Sequence, residues 1–115
     1  MRRLFQFAAW LLILAIVVLS VVPAENRPVT SAPHDFEHAA IFLGTGLAFG
    51  LGYRRHLFQI IGLIAFSAAI EIVQLVIPGR HARVSDFVVD AVSVSLGVGL
   101  ALLIAQYQVY AGFRR

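Results

Sequence analysis

Four long apolar stretches, separated by short polar segments, dominate the chain. They cover residues 4–22, 36–53, 57–77 and 85–106. A helix of about 20 apolar residues is long enough to cross the hydrocarbon core of a bilayer. The pattern therefore predicts an all-α polytopic membrane protein, with residues 1–115 forming one bundle of four transmembrane helices.

Local signals mark the ends of the predicted helices. Pro23 follows the first stretch, and Pro78-Gly79 follows the third, where neither residue continues a helix well. Ser85 is a suitable N-cap for the fourth helix, and Asp86 in its first turn suits the helix dipole.

The first stretch has a second interpretation. The basic pair Arg2-Arg3 and the sequence Val22-Pro23-Ala24 resemble the start and the cleavage site of a signal peptide, and cleavage would leave three spans. The stretch is longer than the usual apolar region of such a peptide, which favours a retained helix.

Composition and charge exclude other classes of protein. The chain is 60% hydrophobic and 13% charged, whereas a soluble domain of this size needs about 25% charged residues to cover its surface. The absence of cysteine excludes disulfides and thiolate sites. The net charge of +3 does not indicate nucleic acid, because the arginines lie in pairs at the ends of apolar stretches.

Arginine placement predicts the orientation in the membrane, since cytoplasmic loops are enriched in positive charge. With both termini cytoplasmic, six arginines lie inside and three lie outside. All six acidic residues then fall in the outer half, together with three of the four histidines. The chemistry is therefore expected at the outer, periplasmic side.

Glu71 is the most unusual residue in this arrangement. Seven residues before Pro78, it is expected about 10 Å inside the third helix, where an acidic side chain usually faces the bundle interior and marks function. The sequence predicts a polar ligand-binding pocket beneath the loop from Arg80 to Asp86, and Arg80 is also a candidate ion-pair partner of Glu71. The predicted pocket residues are Glu37, His38, Glu71, Gln74, Arg80, Arg83, Asp86 and Asp90.

Small residues recur at four-residue spacing on two helices. Gly46 and Gly50 form such a pattern on the second helix, and Ser93, Gly97 and Ala101 form another on the fourth. Spacing of this kind is typical of close helix packing in membranes.

These residues together resemble the VanZ-like family of small bacterial membrane proteins. Asp90 and Ser93 stand where the family pattern has Asn and Gly, which makes the predicted pocket more acidic. The matching residues, within about 34–100, are His38, Glu71, Gln74, Pro78, Gly79, Arg80, Asp86, Asp90, Ser93 and Gly97.

The resemblance implies a multi-pass protein of the bacterial inner membrane with a role in the cell envelope, because the founding member is associated with resistance to the glycopeptide teicoplanin. The guanidinium groups of Arg80 and Arg83 suit phosphate or carboxylate. Together with these two arginines, the resemblance favours a lipid-linked or glycopeptide ligand.

Two other functions stay open. The chain could be a membrane-embedded hydrolase or transferase. No cofactor is predicted, but a divalent metal on His38, Glu71 and Asp90 would suit the oxygen and imidazole donors. It could instead be a structural subunit, either a homo-oligomer or a partner of another membrane protein.

Overall fold

Four α-helices make up nearly all of the chain that the structure, a computed structural model, describes. The described residues are 1–22, 34–77 and 83–114, with side chains in the second range from Phe36 onward. The helices are α1 (Arg2–Val21), α2 (His34–Gly52), α3 (His56–Gln74) and α4 (Val84–Phe113). The prediction of an all-α protein with four helices is confirmed, and no strand occurs among the described residues.

Three of the helices have the length and apolarity of membrane spans. They are α1, α3 and α4, whereas the apolar part of α2 is shorter and covers Phe36–Gly52. Large apolar side chains on all four helices are exposed on the outside of the bundle. This arrangement is expected for a helical bundle that is surrounded by lipid.

The end of α3 differs from the prediction. α3 ends at Gln74 rather than at residue 77 because the next three residues donate backbone hydrogen bonds to carbonyls three positions back, which tightens the chain into a turn. Glu71 therefore lies about 4.5 Å from the helix end and not about 10 Å inside it.

The start of α4 corrects the predicted cap. Arg83, and not Ser85, is the N-cap residue, and it makes no side-chain capping hydrogen bond. The Arg83 carbonyl accepts the backbone N–H groups of Asp86 and Phe87 at 3.1 and 3.3 Å, so the helix begins two residues earlier than a Ser85 cap would allow. Asp86 lies in the first turn, as predicted.

The far end of α4 also differs. The helix has 30 residues and continues to Phe113, beyond the predicted span end at residue 106. Its length of about 45 Å exceeds the roughly 30 Å of a hydrocarbon core. Side chains from Ala105 to Tyr110 are exposed, so the last turns extend past the packed bundle.

The α2–α4 interface is the most extensive in the described chain, and glycine makes it possible. A Cβ atom on Gly46 would collide with the backbone of Val94, and one on Gly97 would collide with the backbone of Leu43 and Leu47. The predicted close packing of the small residues is confirmed.

α1 and α3 complete the bundle around this pair. The Gln6 amide donates to the Gly52 carbonyl at 2.9 Å, and the Trp10 indole N–H donates to the Tyr53 hydroxyl at 2.9 Å. Both bonds join the start of α1 to the end of α2, so these helices run antiparallel. The buried apolar core that the helices share is Ala9, Ile16, Phe42, Ala48, Phe49, Leu63, Ile70, Val94 and Val98.

The glycine packing predicts different effects for two identical substitutions on α4. Gly97→Ala should lower the free energy of unfolding by about 1–3 kcal/mol, because the new methyl group overpacks the contact with α2. Gly99→Ala meets open space and should leave stability unchanged or raise it by roughly 0.5–1 kcal/mol through helix propensity. Reversible unfolding in detergent measures both, and equal effects would contradict the packing.

Candidate functional site

Four ionisable side chains from three helices lie together at one end of the bundle. We call His38, Glu71, Asp86 and Asp90 the polar cluster, and the end that contains them the polar end. Glu71 is close enough to the other three to interact with each of them electrostatically. The three carboxylates are buried, with Asp90 completely inaccessible, and His38 is half-buried.

Helix direction explains why these residues meet. His38 lies in the first two turns of α2, Asp86 and Asp90 lie in the first two turns of α4, and Glu71 lies in the last turn of α3. Because α3 runs opposite to the other two helices, its end adjoins their beginnings. Asp86 and Asp90 are four residues apart and share one face of α4.

One contact within the cluster joins α2 to α4. His38 Nδ1 lies 3.0 Å from Asp90 Oδ1. The His38 ring also stacks on Phe42 one turn later, with ring centroids 6.2 Å apart and an interplanar angle of 14°. The carboxylate and the aromatic ring together fix the orientation of the imidazole. The second oxygen of Asp90 is buried and has no hydrogen-bond partner among the described residues.

Glu71 connects α3 to the start of α4. Its Oε2 accepts the Arg83 backbone N–H at 3.3 Å, and the Arg83 carbonyl in turn begins the hydrogen bonding of α4. Its Oε1 is buried and has no hydrogen-bond partner within residues 1–22, 34–77 and 83–114. One oxygen of Glu71 thus has a structural contact, and the other has none among the described residues.

A cavity of about 340 Å³ opens beside Glu71 between α3 and α4. Glu71 and Arg83 are its charged lining residues, and we call it the α3–α4 cavity. Several of its apolar residues, including Ile72, Leu75 and Val84, are strongly exposed on the outside of the bundle. The full lining is Ala68, Glu71, Ile72, Leu75, Arg83, Val84 and Phe87.

The structure describes seven of the eight predicted site residues. The four members of the polar cluster lie together, with Gln74 buried as the last residue of α3 and Glu37 half-buried on α2. The Arg83 side chain is exposed, and of the seven predicted residues that the structure describes, Glu71 and Arg83 line the α3–α4 cavity. Arg80, its expected pairing with Glu71 and most of the expected loop above the pocket lie outside the described residues.

Sequence reasoning missed the apolar residues of this cavity. Phe87, Leu75 and Ile72 were expected only as parts of the apolar stretches. The available signal was the position of Phe87, four residues after Arg83 and therefore on the same face of the chain as it enters α4.

Metal binding by His38, Glu71 and Asp90 stays a prediction. In the described part of the chain, no group of three or more His, Cys, Asp or Glu side chains is arranged to hold a metal ion.

The model of the VanZ/LLP1 family matches residues 5–105 of the chain. The chain belongs to the VanZ/LLP1 family. The match includes most of all four helices and every described member of the polar cluster, and it agrees with a VanZ-like membrane protein. No curated protein and no solved structure matches this VanZ/LLP1 protein.

The His38–Asp90 contact predicts energetic coupling between α2 and α4. In a double-mutant cycle of His38→Gln and Asp90→Asn, the effects on unfolding free energy should be non-additive by at least about 1 kcal/mol, because each single variant removes the same charge-assisted contact. Unfolding in detergent measures the coupling.

The matched control pairs Asp90→Asn with His56→Gln. His56 lies at the start of α3, at the opposite end of the bundle, and its Nε2 contacts the Gly50 carbonyl at 3.1 Å. This cycle should be additive within about 0.5 kcal/mol. Equal coupling in the two cycles would contradict a direct contact between His38 and Asp90.

Proposed function

We propose that this VanZ/LLP1 protein binds the headgroup of a lipid or lipid-linked ligand in the α3–α4 cavity. The observation that carries the proposal is the Oε1 atom of Glu71, which is buried, lacks a hydrogen-bond partner among the described residues and belongs to a cavity lining residue. A buried carboxylate oxygen without a partner is costly in an apolar environment, and a ligand that donates a hydrogen bond removes that cost.

The two charges beside the cavity favour a zwitterionic headgroup. A carboxylate accepts hydrogen bonds from an ammonium group, and an arginine guanidinium suits a phosphate. Glu71 and Arg83 are held near each other because the Arg83 backbone N–H donates to Glu71. A headgroup with an amine and a phosphate therefore finds both partners in one place.

The apolar lining favours a ligand that approaches from the membrane. Leu75 and Val84 are 69% and 80% exposed, so they present apolar surface to the surrounding lipid rather than to the bundle interior. A lipid-linked molecule can leave its chains on this surface while its headgroup reaches Glu71. Family membership supports the wider role that we propose, in the bacterial cell envelope and in resistance to glycopeptides such as teicoplanin.

A second function, a membrane-embedded hydrolase or transferase, is favoured by the His38–Asp90 contact. A carboxylate on Nδ1 orients an imidazole for general acid or base catalysis. Mass spectrometry of the ligand after incubation separates the two functions, because an enzyme changes the mass of the ligand and a binding protein does not.

Lipid binding to the purified protein tests the proposal. Phosphatidylethanolamine and phosphatidylcholine with identical chains are both zwitterionic, but only the former has ammonium hydrogens to donate to Glu71. We expect wild-type protein to prefer phosphatidylethanolamine, and Glu71→Gln to reduce that preference about tenfold through loss of a charge-assisted hydrogen bond. Native mass spectrometry of the protein with each lipid measures the preference.

Arg83→Gln should weaken the binding of both lipids, since both have a phosphate. Arg114→Gln removes an exposed arginine at the opposite end of α4 and is the matched control. Unchanged binding by both Glu71→Gln and Arg83→Gln proteins that still accumulate in the membrane would overturn the proposal. A parallel loss of teicoplanin tolerance in cells would connect the cavity to the envelope.

A further inference from the structure

A second and larger cavity lies at the opposite end of the bundle, which we call the arginine end because Arg2, Arg3, Arg54 and Arg55 are there. It has a volume of about 630 Å³, within the range of about 300–1,000 Å³ typical of small-molecule sites. We call it the aromatic cavity. Gln59 in its wall and Glu71 are 12 residues apart on α3, or about 18 Å along the helix axis, so the two cavities are separate.

Aromatic side chains from three helices form its walls. Contacts between the rings fix the wall: Trp10 meets Phe49 edge to face at 5.5 Å between centroids, and Phe49 stacks on Tyr53 at 5.8 Å. The Trp10 indole N–H donates to the Tyr53 hydroxyl, so the polar atoms of these two residues are satisfied. Phe58 and Phe66 of α3 complete an apolar lining suited to hydrocarbon.

Gln59 is the exception to this apolar lining. Both its amide nitrogen and its amide oxygen are buried, and neither has a hydrogen-bond partner among the described residues. An amide left in this state is unfavourable, and a ligand with both a donor and an acceptor satisfies it. The ester carbonyls of a glycerophospholipid accept hydrogen bonds at the boundary between chain and headgroup, and a headgroup hydroxyl, such as that of phosphatidylglycerol, donates one.

Two arginines stand beside the aromatic lining. Arg54 and Arg55 belong to the cavity lining and are exposed, and the Arg55 guanidinium lies 5.9 Å from the centroid of the Phe58 ring. The described acidic residues all lie at the polar end, so no carboxylate in the described ranges neutralises this pair. The uncompensated charge is complementary to a phosphate, and the predicted cytoplasmic orientation of this end places it against the leaflet surface where anionic lipids attract basic segments.

We propose that the aromatic cavity binds one anionic glycerophospholipid. Its acyl chain lies between the aromatic rings, its ester carbonyl accepts from the Gln59 amide nitrogen, a headgroup hydroxyl donates to the Gln59 amide oxygen, and its phosphate contacts Arg54 and Arg55. This site is independent of the α3–α4 cavity and takes a different headgroup, anionic rather than amine-bearing.

Gly62 allows a test that blocks the cavity without disturbing the fold. It belongs to the lining, and a Cβ atom placed on it would meet no atom within 4 Å. Gly62→Leu should therefore fill the space that the acyl chain needs. Gly99→Leu is the matched control, because Gly99 also meets no atom within 4 Å and does not line the cavity.

Native mass spectrometry with phosphatidylglycerol and phosphatidylcholine of identical chains gives the readout. Wild-type protein and Gly99→Leu should retain one phosphatidylglycerol after delipidation and prefer it at least about tenfold over phosphatidylcholine, in which a choline ammonium, repelled by the two arginines, offsets the charge of the phosphate. Gly62→Leu should lose this retention. Gln59→Leu should weaken it, and joint substitution of Arg54 and Arg55 by Gln should abolish the preference for the anionic lipid.

Two outcomes would overturn the inference. Retention by Gly62→Leu equal to that of Gly99→Leu would show that the lipid lies on the outer surface of the bundle. Equal retention of the two lipids by wild-type protein would show that the arginines recognise no anion. Glu71→Gln should leave phosphatidylglycerol retention unchanged, so failure at one cavity is distinguishable from failure at the other.

Discussion

The contact between His38 and Asp90 is the constraint on which the polar end depends. A fully buried carboxylate inside a membrane bundle is expensive unless a donor satisfies it, and His38 Nδ1 at 3.0 Å supplies that donor from a different helix. The contact requires α2 and α4 to approach closely. Gly46 and Gly97 permit this approach, because their missing side chains let the two backbones touch about two turns farther along. Close packing and buried charge are thus two parts of one interface.

α3 joins this interface through a hydrogen bond between the Glu71 side chain and the backbone at the start of α4. Glu71 accepts the Arg83 N–H, and the carbonyl of the same residue begins the hydrogen bonding of α4. The carboxylate therefore positions the first turn of α4, which includes Asp86. Its second oxygen is buried without a hydrogen-bond partner among the described residues, and Glu71 lines the α3–α4 cavity. The structural and ligand-binding interpretations of Glu71 concern different oxygen atoms and are compatible.

The sequence predicts the helices and the convergence of charges well because both follow from strong signals. Long apolar stretches can cross a bilayer only as helices, and a carboxylate such as Glu71 within one of them must face protein. Helix ends are less predictable. Leu75 to Ile77 continue the apolar pattern of α3 although the chain tightens there, and hydropathy falls after Gln106 although no strong helix breaker stops α4. Hydropathy indicates which residues can lie in the hydrocarbon core, but it does not indicate where the backbone hydrogen bonding of a helix ends. The aromatic cavity and the apolar lining of the α3–α4 cavity were not predicted for a related reason, since the roles of Gln59 and Phe87 depend on residues of neighbouring helices.

The two ends of the bundle differ in charge and in the ligand chemistry that they favour. Carboxylates dominate the polar end, and uncompensated arginines dominate the other. This division underlies the two sites that we propose, one for an amine-bearing headgroup and one for an anionic lipid, with α3 contributing residues to both.

The most direct test of the central contact is a dipolar-coupling measurement in bilayers by solid-state NMR, with ¹⁵N-histidine and ¹³C-carboxyl aspartate labels. The account predicts strong dephasing of the His38 Nδ1 signal by an aspartate carboxyl carbon, as the 3.0 Å contact requires, and its loss in Asp90→Asn, where the label no longer enters position 90. Absence of dephasing at His38, or dephasing that survives Asp90→Asn, would contradict the account.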